Sequence, residues 1–194
     1  QAIKHLEQEK KEMNELQYGQ EYLGLFLEEL RQFFPDELIE SSCIKKRPGA
    51  IIKGKHFLGG DIARLGNDET TFEILTREEN NDIRQVENIA KKKRLTTETE
   101  ADILSLEKIY NFRGIGIDAG AGSLGVGIFD RLMQNSGTRY KTMAMNNREI
   151  SIDSEGKKKQ RIFKEDLYDN LKGMMERGEI KLLDDNEVKT SFKS

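Results

Sequence analysis

The chain has 194 residues and a formal net charge of −3, enough sequence for one domain with an appendage. A single cysteine (Cys43) and two distant histidines (His5 and His56) exclude a disulfide framework and a Cys/His zinc site. Because the sequence has no run of about 18 apolar residues and no signal-peptide pattern, we expect no membrane partner. The lack of disulfides is typical of a cytoplasmic protein, which is the expectation here.

The charge is unevenly distributed along the chain. Residues 1–40 carry four basic and ten acidic side chains, a net charge of −6, whereas residues 41–194 carry a net charge of +3. Basic clusters in the second part lie at 45–47, 91–94 and 157–164. Each cluster alone is typical of solvated surface. Phosphate binding depends on such local patches, however, so the overall acidity does not exclude nucleic acid as a partner.

Residues 1–50 are predicted to form an N-terminal helical segment and a linker. The first 20 residues have apolar positions at helical spacing, which predicts an amphipathic helix. The following stretch mixes aromatic and acidic residues as far as Pro35 and then becomes a polar, basic linker with a turn at Pro48-Gly49. We therefore expect the compact body of the protein at 51–194.

The body predicts a regular succession of strands and helices. Three strands rich in β-branched and aromatic residues come first, and helical and strand patterns then alternate. The predicted strands are 56–63, 70–76, 83–90, 114–118, 139–145 and 180–183. The predicted helices are one from Thr96 or Thr97 to before Gly114, one at 123–134, one at 162–177 closed by Gly178, and a short one after Asp185.

Three meandering strands followed by helix, strand, helix, strand and helix is the order of the ribonuclease H-like arrangement. The sequence therefore predicts an α/β fold with a mixed β-sheet, in which three antiparallel strands precede the parallel ones and helices flank the sheet. Residues 157–159 are expected to form a basic loop before the last long helix.

Two aspartates follow predicted strands and are surrounded by glycines. Asp61 follows Gly59 and Gly60, and Asp118 lies between Gly116 and further glycines. Glycines leave room for ions and phosphates to approach the backbone, and carboxylate oxygens suit hard cations such as Mg²⁺ or Mn²⁺. Taken singly, Asp61 is equally well explained as an exposed strand-end residue and Asp118 as a helix N-cap.

Three blocks between residues 21 and 192 carry a family resemblance. They are Gly60-Asp61-Ile62-Ala63-Arg64 with Gly66-Asn67-Asp68; Gly116-Ile117-Asp118 with Gly120, Gly122 and Gly125; and 163–178 followed by Ile180, Leu183, Asp184, Asp185 and Val188. In order and spacing these blocks resemble the nuclease domain of the large terminase subunit of tailed bacteriophages, the motor that packages DNA.

The resemblance implies a two-metal site for Mg²⁺ or Mn²⁺. Asp61 would bridge both ions and Asp118 would complete one of the two sites. The third ligand would be Asp185 or Asp184, and the family's spacing into the last helix favours Asp185. Asp68 would be an alternative ligand or a residue beside the ligands, unless it only forms an Asx-turn. The residues implied to contact DNA are Arg64, Lys157, Lys158, Lys159 and Arg161.

The function implied by the resemblance is metal-dependent cleavage of double-stranded viral DNA during genome packaging, in the cytoplasm of an infected bacterium. The family's ATPase motif, a glycine-rich loop ending in Gly-Lys-Ser/Thr, does not occur here. The chain therefore resembles an excised, monomeric nuclease domain whose full-length form would have an ATPase domain, a portal and a small terminase subunit as partners. Alternatives with the same topology are an actin- or sugar-kinase-like nucleotide-binding domain and a non-catalytic docking module.

Overall fold

The computed structural model describes residues 33–63, 68–119, 123–145, 149–152, 158–161 and 163–193, with the backbone alone described between 149 and 165. The helix predicted for residues 1–20 lies outside the described residues, as do Arg64 and Lys157. Within the described ranges, no helix is long and apolar enough to cross a membrane.

The described chain forms nine strands and five helices. The strands are β1 (Cys43–Lys45), β2 (Lys55–Asp61), β3 (Glu69–Arg77), β4 (Ile83–Lys92), β5 (Gly114–Ile117), β6 (Thr142–Ala144), β7 (Glu149–Ile152), β8 (Lys158–Arg161) and β9 (Ile180–Leu183). The helices are α1 (Asp36–Ser42), α2 (Thr96–Tyr110), α3 (Gly125–Gln134), α4 (Phe163–Glu176) and α5 (Asn186–Ser191).

Seven of these strands form one mixed sheet in the order β1-β9-β4-β3-β2-β5-β6. The pairs β2–β3 and β3–β4 are antiparallel, whereas β2–β5, β5–β6, β4–β9 and β1–β9 are parallel. The predicted fold class is thereby confirmed. Because β2, β5 and β9 all run in the same direction, the residues that follow them lie at the same edge of the sheet.

One face of the sheet is apolar because alternate residues of its strands point to the same side. In β3, the buried residues are Thr70, Phe72, Ile74 and Thr76. This face packs against α2 and α3 through Ile103 and Ile128. The opposite face of β3 carries Glu69, Thr71 and Glu73, so it is polar.

Residues 33–45 pack as part of this body, although their sequence reads as a connector and linker. Phe34, Ile39 and Cys43 are buried in a second apolar cluster with residues of α4, β9 and α5. β1 pairs with β9 and forms an edge of the sheet. The division into a segment at 1–50 and a domain at 51–194 stays a prediction. The sheet and its apolar cluster nevertheless include residues that precede position 51.

Two further predictions need correction. The stretch predicted as a basic loop is partly regular structure, because β8 pairs with β7 in a two-stranded antiparallel sheet. The strand predicted for 139–145 is shorter, and it is confined to β6. Residues 138–141 form a turn instead, in which the Arg139 N–H donates to the Asn135 carbonyl and the Lys141 N–H to the Thr138 carbonyl.

Candidate metal centre

Asp61 and Asp118 lie side by side at the carboxyl ends of two neighbouring parallel strands. In the pairing of β2 with β5, Gly59 is opposite Gly116 and Gly60 is opposite Ile117. The Asp118 N–H donates to the Gly60 carbonyl at 3.2 Å, which extends the pairing by one position. Since paired strands are roughly 4.8 Å apart, the two aspartates start from adjacent points on one face of the sheet.

The polar face of β3 continues this acidic surface. In the antiparallel pairing of β2 with β3, Asp61 is opposite Thr71 and Gly59 is opposite Glu73. Glu73 is therefore the diagonal neighbour of Asp61, at a separation that long side chains can bridge. A Cβ at position 59 would meet nothing within 4 Å, so the surface above Gly59, beside Glu73, is open.

Asp61, Thr71 and Glu73 line a cleft of about 1260 Å³ between the polar face of the sheet and the helices α4 and α5. The acidic side chains of the lining are Asp61, Glu69, Glu73, Asp169 and Glu187, and one rim is formed by the aromatic residues Phe33, Phe34, Tyr168 and Phe192. An acidic cleft of this kind attracts divalent cations and repels phosphate groups until cations are bound.

Asp185 lies at the N-terminus of α5, and both of its carboxylate oxygens have partners. One oxygen accepts the Glu187 N–H at 2.8 Å, which caps the helix. The other accepts from the Arg47 guanidinium at 2.5 Å. Arg47 thereby holds the pKa of the Asp185 carboxyl below its usual range. The same guanidinium also pairs with Glu87 of β4 at 2.7 Å.

Asp184 is exposed and pairs with Lys189 at 2.8 Å. Lys189 also pairs with Glu40 of α1, and both carboxylates raise the pKa of its ammonium group. Asp184 therefore contributes to an ion-pair network between α1 and α5. Of the predicted ligands, Asp61 lines the cleft, whereas Asp118, Asp184 and Asp185 are not among its lining residues.

Of the predicted ligands, the structure brings Asp61 and Asp118 together, while Asp184 and Asp185 are held by basic side chains. In the part of the chain that the structure describes, no three His, Cys, Asp or Glu side chains converge closely enough to hold one metal ion. The donor set at Asp61 and Asp118 still suits a hard cation, since both ligands are carboxylates at an open, acidic surface. Asp68 is exposed just before β3. The ligand assignments stay predictions.

The predicted DNA contacts are only partly described. Arg64 and Lys157 lie outside the described residues, whereas Lys158, Lys159 and Arg161 belong to β8, whose backbone alone is described. These assignments also stay predictions.

Three residues of this region are missed by sequence reasoning: Arg47, Glu73 and Gln85. The Glu73 carboxylate accepts hydrogen bonds from the side-chain amides of Gln85 and Asn88. Burial nevertheless raises the pKa of Glu73. A charged residue between Phe72 and Ile74, in the middle of an apolar strand, is a signal that could have identified it. No local sequence pattern identifies Gln85 or Arg47 as site residues, because their partners Leu183 and Asp185 are distant in sequence.

Solved structures with the same arrangement are nucleases of phage large terminases. The large terminase nuclease of thermophilic phage G20c matches with a TM-score of 0.59 at 15% identity, over 84% of this chain and 80% of that chain. For the large terminase nuclease domain of Thermus phage P74-26 the TM-score is 0.56 at 14% identity, over 84% and 77% of the two chains. The described chain has the fold of a phage large terminase nuclease domain.

The terminase resemblance predicted from the sequence blocks is thus confirmed, at the level of fold. The G20c nuclease has also been solved with bound zinc, magnesium and cobalt. The large terminase of another thermophilic bacteriophage matches with a TM-score of 0.57 at 13% identity, over 84% of this chain and 37% of that longer chain. No protein-family model and no curated protein sequence matches this chain.

Proposed function

We propose that this chain is a divalent-metal-dependent endonuclease that cleaves double-stranded DNA, as the nuclease part of a terminase large subunit. The observation that carries the proposal is the pair Asp61 and Asp118, side by side in a fold shared with terminase nucleases. That one such nuclease binds magnesium, zinc and cobalt supports a metal-dependent reaction here.

In this reaction the acidic residues of the chain hold cations against the scissile phosphate. Two bound Mg²⁺ or Mn²⁺ ions would lower the pKa of the attacking water and stabilise the leaving 3′ oxygen. Asp61 lies between Asp118 and the polar face of β3, and in this proposal its carboxylate would hold both ions. Asp185 would complete the site after exchanging Arg47 for a cation.

Binding of DNA would depend on the basic residues of β8 and the neighbouring chain. Lys158, Lys159 and Arg161 would contact the phosphate backbone, which gives a grip that is independent of sequence and weakens with salt. In a full-length terminase, an ATPase domain, a portal and a small subunit would present the DNA, inside the infected bacterium. Without them, cleavage by this chain should have little sequence preference and little regulation.

Plasmid cleavage tests the proposal directly. We expect the chain to nick and linearise supercoiled DNA with Mn²⁺, more slowly with Mg²⁺, and not at all with EDTA, because a loosely assembled carboxylate site tolerates the less demanding ion. Asp61→Asn should reduce the rate at least about 100-fold, since it removes a charged ligand. Asp130→Asn is the matched control, because Asp130 lies on α3 outside the cleft.

Each arm of this assay can contradict one part of the proposal. Cleavage that persists in EDTA would contradict metal dependence, and an active Asp61→Asn variant would contradict the ligand assignment. A folded wild-type chain that cleaves with neither ion would contradict the nuclease function. Nucleotide titration would then test the alternative of a kinase-like nucleotide-binding domain.

A further inference from the structure

The end of β9 is held to the sheet by a side chain. β9 pairs with β4 at Ile180 and Lys181, near its beginning. Further along, the Leu183 N–H donates to the side-chain oxygen of Gln85 in β4 at 2.9 Å. Leu183 directly precedes Asp184 and Asp185, so this hydrogen bond fixes the point from which the last acidic pair leaves the sheet.

Gln85 is available for this contact because β4 is irregular at this point. The pairing of β3 with β4 shifts between Ile74 and Leu75, which are opposite Glu87 and Gln85. Val86 is therefore an extra residue in β4, as in a β-bulge. Gln85 is buried, with 3% of its surface exposed, so its amide has to find partners within the protein.

Glu73 determines how the Gln85 amide is oriented. The amide nitrogen of Gln85 donates to one carboxylate oxygen of Glu73 at 2.5 Å, and Asn88 donates to the other. A flipped Gln85 would turn its oxygen toward the carboxylate and its nitrogen toward the Leu183 N–H, so both contacts would be lost. The Glu73 carboxylate thus keeps the Gln85 oxygen turned toward β9.

We propose that Glu73 and Gln85 are positioning residues that fix the junction of β9 and α5, and thereby the distance between Asp185 and the pair Asp61 and Asp118. This inference rests on the proposed function, because it concerns the acidic residue that would complete the metal site. Two strands, β3 and β4, separate β9 from β2, and the hydrogen bonds from Glu73 through Gln85 to Leu183 connect β3 across β4 to β9.

An exchange of the two side chains provides the sharpest test. In Glu73→Gln, an amide faces the Gln85 amide, and in Gln85→Glu two carboxylates face each other. In the double variant Glu73→Gln/Gln85→Glu, the new carboxylate at position 85 can accept from both Leu183 and the amide at position 73. The amide oxygen at position 73 can still accept from Asn88. The double variant therefore restores the network with its charge and composition unchanged.

Two readouts follow the junction and the site separately. Hydrogen exchange of the Leu183 amide reports the junction without any metal, and a Mn²⁺ titration followed by water proton relaxation reports the site. We expect each single variant to speed Leu183 exchange and to weaken Mn²⁺ binding roughly tenfold. The double variant should return both quantities to within about threefold of wild type, a margin of roughly 0.7 kcal/mol.

Gln85→Met separates positioning from charge, because it removes the acceptor of the Leu183 N–H without changing the charge of the cleft. It also serves if Glu73→Gln does not fold. We expect it to affect both readouts as Glu73→Gln does. Asp82→Asn is the matched control, since it removes the ion pair with Lys181 near the beginning of β9 and should leave both readouts unchanged.

The outcomes separate this inference from the proposed function. Unchanged Leu183 exchange in Glu73→Gln and Gln85→Met, or failure of the double variant to restore it, would overturn the positioning role. Full Mn²⁺ affinity in Gln85→Met would overturn its link to the site. A wild-type chain that binds no Mn²⁺ would overturn the proposed function and that link together, and Leu183 exchange would then decide the junction alone.

Discussion

Arg47 shows how the surroundings of one residue change its role. It belongs to a basic cluster at 45–47 that is typical of solvated surface, yet its guanidinium lies between the carboxylates of Asp185 and Glu87 and also contacts the Asn88 carbonyl at 3.5 Å. The guanidinium pairs with the carboxylate of Asp185, a candidate metal ligand, and so supplies the positive charge that a metal ion would otherwise supply. In the proposed metal site, Arg47 and a divalent ion would therefore compete for Asp185.

Arg47→Ala should accordingly strengthen Mn²⁺ binding. An exposed ion pair contributes about 0.2–1 kcal/mol, so the dissociation constant should fall by about 1.5- to 5-fold. The measurement is the Mn²⁺ titration of the metal centre, at constant ionic strength. Arg177→Ala is the matched control, because it breaks an exposed arginine pair with Glu179 that lies outside the cleft. Unchanged or weaker Mn²⁺ binding in Arg47→Ala would contradict competition at Asp185.

Single site residues can be predicted from the sequence where their neighbours in the chain identify them. Asp61 and Asp118 can be singled out because glycines and strand ends surround them in the chain itself. The partners of Asp185 cannot, since Arg47 reaches it only through the pairing of β1 with β9. The same holds for Gln85, whose contacts to Glu73 and Leu183 depend on the order of strands in the sheet.

The first turn of α3 packs directly against the backbone of Asp118. A side chain at Gly125 would place its Cβ 1.9 Å from the Asp118 carbonyl oxygen, a distance that no packed structure tolerates. The Ser123 hydroxyl donates to the same oxygen at 3.1 Å. The start of α3 and the loop that carries Asp118 are therefore fixed to each other.

Gly125→Ala should displace Asp118 and abolish metal-dependent cleavage. The overpacking should also cost about 1–3 kcal/mol in the free energy of unfolding.

Gly127→Ala, two residues further along the same helix, is the matched control, because a Cβ at Gly127 meets nothing within 4 Å. It should keep full activity and gain up to about 1 kcal/mol, as alanine replaces glycine in an exposed helix interior. Urea unfolding and plasmid cleavage check both variants, and an active Gly125→Ala enzyme would contradict this account.

The helices and strands of the body follow from periodicity, so most of them can be predicted to within a few residues. β9 matches its predicted range, and alternation and turns predict the meander of β2, β3 and β4. Short elements escape prediction: β1 has three residues, too few for any pattern. α2 begins near its predicted position. Its first turn is capped by the Glu98 carboxylate, which accepts the Leu95 N–H, and not by the side chain of Thr96 or Thr97.

The two ends of the described chain meet at one edge of the molecule. β1 pairs with β9, Lys193 pairs with Asp36 at 2.8 Å, and Phe34 packs edge-on against Phe192 with ring centroids 4.9 Å apart. Cys43 is buried within this region, and burial raises the pKa of its thiol to about 11. The thiol is therefore a probe of whether the edge is closed.

Cys43 should react with a disulfide reagent at pH 8 at least about 100-fold more slowly in the folded protein than in urea, because both burial and the low thiolate fraction protect it. The raised pKa also means that stability falls between about pH 8.5, the ordinary thiol pKa, and pH 11, since the unfolded thiol ionises first. Lys193→Ala should speed the reaction of the folded protein by opening the edge. The rate of release of the coloured thiolate measures the reactivity of Cys43 in both proteins, and urea unfolding from about pH 8.5 to pH 11 measures the loss of stability. A Cys43 that reacts freely at pH 8 would contradict the closed edge.

The architecture of the whole molecule can be predicted because its order of elements permits few topologies. The sequence cannot show that residues before the meander close the sheet on the far side of β9. That outcome depends on apolar residues near both ends of the described chain, such as Ile39 and Val188, which share one cluster only after folding.

The position of β1 beside β9 also sets an order of events in folding. The meander joins strands that are neighbours in the chain, and β2 and β5 are closer in sequence than β1 and β9. Closing β1 onto β9 brings together segments from almost opposite ends of the described chain, at a larger cost in loop entropy. A chain emerging from the ribosome can therefore build the surface that carries Asp61 and Asp118 well before the last acidic pair is synthesised. The proposed metal site would then be complete only when synthesis has passed α5.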